Sequence, residues 1–357
     1  MKSFQCDHCG SLVFFESVNC VGCGHALGFI PEVLDLGALE PAAAGSWKAM
    51  SHGSAGRFFR PCMNGGQQAV CNWLVPVDDP NPLCVSCRLN VTIPDLGVAA
   101  NHDRWHRLEL AKRRLVYAFL RLGLPLDGAP GGVNAGLRFN FLGDAPGSPP
   151  VLTGHEDGLI TVNILEADDP EREARRVSLH EPFRTLLGHF RHEASHYLWD
   201  RLVDRTPWVE KFRASFGDET ADYGSSLQRH YQQGPPPGWQ DNYVSGYASS
   251  HPWEDWAETC AHYLHMMDAI ETADACGLVL QPRQQGNGAT PPPMSVTGGG
   301  RASFNGIIDT WRPMTCALNS LNRGMGLPDL YPFVLSAVVG EKMRLVHEIL
   351  SPNPGNR

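Results

Sequence analysis

Between Leu186 and Val203 the chain reads LLGHFRHEASHYLWDRLV, and inside it His192-Glu193-Ala194-Ser195-His196 is an H-E-x-x-H sequence. No Gly or Pro follows Gly188 in this stretch, which favours a helix. Residues four apart lie on one helical face, so both imidazoles can grip one metal ion. Neutral imidazole suits Zn²⁺, which takes nitrogen ligands at about 2.0–2.1 Å. Glu193 follows the first ligand, where its carboxylate can act as general base toward a water activated by the metal. The competing reading is a surface helix with satisfied histidines. Catalysis needs a third protein ligand and an open fourth position. The best supplier is the segment from His251 to His265, where Pro252 suits a first helical turn and Glu254, Glu258, His262 and His265 share a face. Glu254, Glu258, His262 and His251 are the candidates for that ligand. His189 lies on the face of His192 and fits the surroundings of the site better than the ligand set.

A second chemistry sits at the other end of the chain. Cys6-Asp7-His8-Cys9 and Cys20-Val21-Gly22-Cys23 are two C-x-x-C knuckles. Each aims two thiolates at one point, and together they make the closed Cys₄ site of a structural zinc ribbon. His8 is then a bystander. Cys62, Cys71, Cys84 and Cys87 supply a second, looser set that ends in C-x-x-C and is expected to hold a second structural zinc. Buried free thiols are the alternative. Eleven cysteines, eight of them within residues 6–87, fit metal ligation in a reducing compartment better than disulfides. Residues 1–95 carry five Lys and Arg against eight Asp and Glu. Binding to phosphates is therefore disfavoured, and a structural or protein-docking role is expected for this module.

These groups need elements to hold them. Leu12–Phe15 is predicted as a short strand, and residues 88–102 as the join between modules. An amphipathic helix starts from a cap at Asn101 or Asp103 and runs to about Leu122, ended by Gly123 and Pro125. Lys112-Arg113-Arg114 is its solvated face. Leu137–Leu142 and Gly158–Ile164 alternate as strands. Helices follow near Trp208–Phe216 and Ala221–Gln233, then a Pro/Gly break at Gly234–Gly238. Gln281–Gly300, with Pro291-Pro292-Pro293 and Gly298-Gly299-Gly300, is predicted as a mobile loop. Helices over about Phe304–Leu321 and Leu330–Leu350 close the chain. The expected fold class is α+β, with a mostly helical domain and a small sheet over residues 100–351 after the Cys-rich module of residues 1–95. The net charge of −9 argues against a nucleic-acid partner, and no run approaches eighteen apolar residues. No apolar segment follows the start MKSFQCDHCG, so a cytoplasmic protein away from membranes is expected.

Glu254-x-x-x-Glu258, on a helix after H-E-x-x-H, resembles the gluzincin metallopeptidases. There the first acid binds zinc and the second orients a ligand histidine. Tyr247…Glu254-Asp255-Trp256-Ala257-Glu258 looks like the Y-x₆-E-x-x-A-E segment of the anthrax-lethal-factor group, whose tyrosine helps stabilise the tetrahedral oxyanion. Over roughly residues 1–350 the order of motifs resembles the bacterial "putative zinc-binding metallopeptidase" family with an N-terminal zinc ribbon. The resemblance implies a zincin-like domain with one catalytic zinc held by His192, His196 and Glu254, beside the one or two structural ones. It also implies Glu193 as general base, Tyr247 at the oxyanion, Glu258 behind a ligand histidine, and a peptide or protein substrate. The rival expectation is a zinc-ribbon adaptor whose peptidase-like domain only binds a protein partner. Presence of the complete set, base included, favours the enzyme.

Overall fold

The computed structural model describes residues 1–51, 53–128, 136–145, 147–178, 185–281, 294–296 and 303–351. It divides into two compact units. One takes Ser3–Arg175 and Thr185–Phe190, the other Met1–Lys2, Arg176–Arg184 and the chain from Arg191 onward. With about 48% helix and several small sheets, the chain is of the α+β class.

The first unit opens with the hairpin β1 (Phe4–Gln5) and β2 (Leu12–Val13), which pairs Phe4 with Val13. The strand predicted to Phe15 stops at Val13 because the chain turns there, with Ser17 N–H donating to Phe14 O. Cysteine spacing gave no sign of the antiparallel meander that follows: β3 (Ala26–Ile30), β4 (Asp35–Pro41), β5 (Trp47–Ala49), β6 (Phe58–Pro61) and, after the single turn α1 (Met63–Gly66), β7 (Leu74–Pro76). Ile30, Leu39, Ala49, Phe59 and Leu74 pack as its core. Gly28 lets Leu74 approach the backbone; a Cβ there would stand 2.6 Å from Leu74 Cδ2.

Residues 88–102 are more than a join. They contain β8 (Asn90–Thr92), which pairs in parallel with β9 (Arg138–Leu142). The helix α2 (Ala99–Leu122) connects the two strands, and β10 (Gly154–Glu156) and β11 (Leu159–Asn163) complete the order β10-β11-β9-β8. α2 begins at Ala99, ahead of the expected cap residues, and ends where Gly123 takes a left-handed φ of 67°. Its basic cluster is not a solvated face. Lys112 and Arg113 are buried, and only Arg114 reaches outward, to Glu16 at 2.5 Å. Lys112 pairs with Glu109 at 2.9 Å, with neither side chain exposed, and lies over the rings of Phe139 and Phe141. Asn90 also bonds to Glu109, and Arg113 donates to Val70 O. The charges are inside because each has a partner there, which periodicity alone does not reveal. Removing one partner of such a pair leaves an uncompensated buried charge, so Lys112→Met is expected to cost about 3–5 kcal/mol of stability. Chemical denaturation checks this, and a cost under about 1 kcal/mol, the usual worth of an exposed pair, would refute the buried-pair account. After α3 (Asp169–Ser178), the unit closes with the start of α4 (Leu186–Leu202). Phe190 packs edge-on against Phe139 and Phe141, and His189 Nδ1 meets Glu166 Oε2 at 2.6 Å.

In the second unit α4 continues, followed by α5 (Trp208–Phe216), α6 (Tyr223–Gln233) and α7 (Pro252–Ala275). The strands β12 (Val279–Leu280) and β13 (Met294–Ser295) pair, and α8 (Phe304–Gly324) and α9 (Ala337–Leu350) follow. Of the predicted loop Gln281–Gly300, all but Gln281, β13 and Val296 lies outside the described residues. α6 starts two residues later than predicted because Asp222 caps it by accepting from Ser225 N. α9 starts at Ala337 rather than Leu330, since Pro332 interrupts the pattern and Ser336 supplies the cap. The polar residues of α4 have partners: Arg191 reaches Asp268 and His265, and Ser195 Oγ donates to Arg191 O. Trp256 Nε1 donates to Ser195 O at 2.8 Å, tying α7 to α4. Among the described residues no helix is long and apolar enough to cross a membrane.

Candidate metal centres

α4 and α7 bring three ligand atoms together. One turn of α4 separates His192 from His196, and the first turn of α7 presents Glu254 to both. Glu254 Oε2 stands 3.0 Å from His192 Nε2 and 3.6 Å from His196 Nε2. Ligands about 2.0–2.1 Å from a tetrahedral zinc stand about 3.3 Å apart, so these spacings fit the ion. All three residues are buried, and Glu254 Oε2 has no hydrogen-bond donor among the described residues. A buried carboxylate oxygen facing two imidazole nitrogens without a donor is a group that a cation would satisfy.

The surrounding field agrees. Burial opposes ionisation of Glu254, yet His196 and His192 hold its carboxyl well below the ordinary value. Burial likewise opposes charge on His192, but Glu254 and Glu258 outweigh it and raise its basicity well above normal. Positive charge is thus favoured at the point the three side chains enclose.

His192 Nδ1 meets Glu258 Oε1 at 2.7 Å. When His192 binds a metal, Glu258 would hold its proton on Nδ1 and leave the Nε2 lone pair facing the cluster. Despite burial, the His192 hydrogen bond keeps Glu258 ionised, down to about 2. Ser245 Oγ donates to the other oxygen of Glu258 at 2.6 Å. Tyr223, at the start of α6, donates its hydroxyl to Glu254 Oε1 at 2.7 Å. Sequence reasoning missed Tyr223 and Ser245; neither stands at a motif spacing from H-E-x-x-H, and only the folded helices bring them near. The alternatives His251 and His262, and His265 on the same helix, are engaged elsewhere. His251 caps α7 through Nδ1 and donates through Nε2 to Ala221 O, His262 pairs with Tyr331 Oη, and His265 meets Arg191.

Glu193 is buried beside the cluster, close enough for its charge to act on Tyr223 and Tyr247. The Tyr247 ring lies 5.9 Å from that of His192, and its hydroxyl makes no hydrogen bond among the described residues. Burial and the Glu254 charge raise its phenol well above the ordinary value, so it keeps its proton. Groups that orient metal ligands typically contribute 10–100-fold to metal affinity. Glu258→Gln is therefore expected to weaken zinc binding at this cluster by about 10–100-fold in competition with a chelating dye, and an unchanged affinity would contradict its orienting role.

Both cysteine quartets converge. Cys6 and Cys23 sulfurs are 3.7 Å apart, Cys9 and Cys20 3.6 Å, and Cys71 and Cys84 3.7 Å. Four thiolates about 2.3 Å from one zinc stand about 3.8 Å apart, so both sets fit. In the second set all four are buried, and the Cys84 and Trp73 backbone N–H groups point at the Cys62 and Cys71 sulfurs. Gly65 is needed beside this set, because a Cβ there would meet Cys71 O at 2.2 Å. His8 stacks on His25 at 3.9 Å, and the two imidazoles converge on Cys23 of the first quartet, which already has four thiolates to complete a zinc shell.

Comparison with known proteins matches residues 101–349 to the family described as "Putative zinc-binding metallo-peptidase" and residues 3–98 to a zinc-ribbon domain. Two proteins of Mycobacterium tuberculosis (strains CDC 1551 / Oshkosh and H37Rv) and one of Mycobacterium bovis are similar to the chain. Each is 42% identical over 351 residues, covering 98% of this chain and 95% of its own, and each is called an uncharacterized protein. No solved structure matches. With its N-terminal zinc ribbon and the helices that carry H-E-x-x-H and its downstream acids, the chain belongs to the family of putative zinc-binding metallopeptidases.

Proposed function

We propose that this protein hydrolyses peptide bonds in a peptide or protein substrate through a gluzincin-type site. The observation that carries this is Glu254 Oε2 facing His192 Nε2 and His196 Nε2 with Glu193 beside them. His192, His196 and Glu254 would hold one catalytic zinc, which when bound supplies Lewis acidity to polarise the scissile carbonyl and acidify water. The remaining chemistry belongs to the side chains. Glu193 removes a proton from the attacking water and passes it to the amine that leaves. Tyr247, still protonated, donates a hydrogen bond to the developing oxyanion. Glu258 and Ser245 hold His192 in its tautomer, and Tyr223 fixes Glu254.

Cys6, Cys9, Cys20 and Cys23 would hold one structural zinc, and Cys62, Cys71, Cys84 and Cys87 a second. Residues 1–95 serve as the ribbon module, able to dock a protein, and residues 100–351 as the peptidase domain. A reducing cytoplasm would keep the eight thiols available as ligands. The test is incubation of the zinc-loaded chain with a mixed peptide library, products being read by mass spectrometry. Cleavage that disappears in His196→Ala supports the reading; products that persist in that variant, or none at all, oppose it.

A further inference from the structure

Alongside this centre the second unit holds a cavity of about 370 Å³ that the proposed chemistry does not use. Its walls are Ser226, Arg229, His230 and Gln233 of α6, the rigid run Pro235–Pro237, and Ser250. On α6 the four residues fall at i, i+3, i+4 and i+7, one face of the helix. Tyr223, three residues ahead of Ser226, carries the helix to Glu254. His230 stands two turns beyond Tyr223, about 10 Å along the axis. Its ring is 5.8 Å from that of Tyr247, whose ring is 5.9 Å from His192. The cavity therefore lies along α6 beyond the contact of Tyr223 with Glu254, at a distance from the metal cluster that two to three residues of extended peptide would span.

The charge of this cavity has one sign. No carboxylate lines it, and Arg229 has no acidic partner among the described residues; its Nη2 donates to Ser226 Oγ at 3.4 Å. Burial lowers the basicity of His230, which leaves Arg229 as the fixed cation. Ser250 is 5% exposed, and its hydroxyl has no hydrogen-bond partner among the described residues. A planar guanidinium beside hydroxyl and amide groups, walled by prolines, matches a carboxylate.

We propose that this cavity receives a carboxylate of the bound peptide two to three residues from the scissile bond, with Arg229 as the residue that sets this specificity. The carboxylate is an acidic side chain or a free C-terminus; both present the same two oxygens. The proposal rests on the peptidase reading, and its test separates the two.

The test uses the full zinc-loaded chain carrying Glu193→Gln, so that binding is read without turnover. The probes are fluorescein-labelled octapeptide mixtures with one position fixed as Glu or as Gln, each with a free or an amidated C-terminus, followed by fluorescence anisotropy. A charge-assisted contact predicts about 10- to 100-fold tighter binding of the anionic member of one pair. Preference between Glu and Gln assigns the side chain; preference between acid and amide assigns the C-terminus. The ratio should fall to near one in Arg229→Gln and invert in Arg229→Glu, both at an exposed position of α6 that tolerates them. Equal binding of all four mixtures, no binding, or a preference surviving both substitutions would overturn the proposal. With Glu193 restored, bound peptides that are never cleaved would remove the peptidase reading and leave the pocket. Cleavage without charge preference would do the reverse.

Discussion

Glu193→Gln is expected to slow turnover of any cleaved peptide by about 10²–10⁴-fold, the usual contribution of a positioned general base. The amide keeps the shape and burial of the side chain but cannot accept a proton from water. Glu193 lies next in sequence to His192, and its charge is felt by Tyr223 and Tyr247, so it borders the space where a reacting carbonyl would sit. The effect should fall on kcat, with zinc content and melting temperature unchanged, because Glu193 is not among the three side chains whose ligand atoms converge. Steady-state kinetics on one peptide from the library decides it. Full turnover by Glu193→Gln would mean that another group takes the proton and that the assigned mechanism is wrong.

The second large effect concerns the ribbon. Cys84→Ser is expected to lose one zinc and the ordered structure of the β3–β7 sheet. Cys62, at the end of β6, and Cys71, just before β7, belong to the same quartet, so its ion would clamp the sheet's last two strands. Structural zinc contributes about 10–16 kcal/mol in small zinc-binding peptides, against a total of about 5–15 kcal/mol for an ordinary domain. Without it, four buried sulfurs would be left with weak hydrogen bonds to one another, to the Cys84 and Trp73 N–H groups and to Glu109. Limited proteolysis should cut Cys84→Ser within residues 26–87 while wild type resists, and elemental analysis should find one zinc fewer. A variant as resistant as wild type with its zinc count intact would show that this quartet is a group of packed thiols.

Much of the site was legible because its residues are close in sequence or repeat at helical spacing. His192 and His196 are one turn apart, as are Glu254 and Glu258, and helix geometry fixes what such pairs can reach. The two knuckles of the first quartet and the C-x-x-C of the second are legible for the same reason. Contacts made by residues with no spacing relation were not. Tyr223 reaches Glu254 across 31 positions, and Ser245 reaches Glu258 from a loop. The solvated-face reading of Lys112 and Arg113 failed because sequence charge does not show a partner such as Glu109 or Val70 O waiting inside. The five-stranded sheet of residues 26–76 went unseen because Gly, Pro and Cys break up its alternation, and its register rests on long-range pairs such as Phe59 with Pro76.

The central claim is that His192, His196 and Glu254 hold a metal ion of their own, apart from the two cysteine sets. The direct measurement is zinc per chain by elemental analysis, in wild type and in His192→Ala/His196→Ala. The account predicts about three falling to about two, one ion for each cysteine quartet and one for His192, His196 and Glu254. An unchanged count would contradict it, and the H-E-x-x-H helix would then belong to a binding module rather than an enzyme.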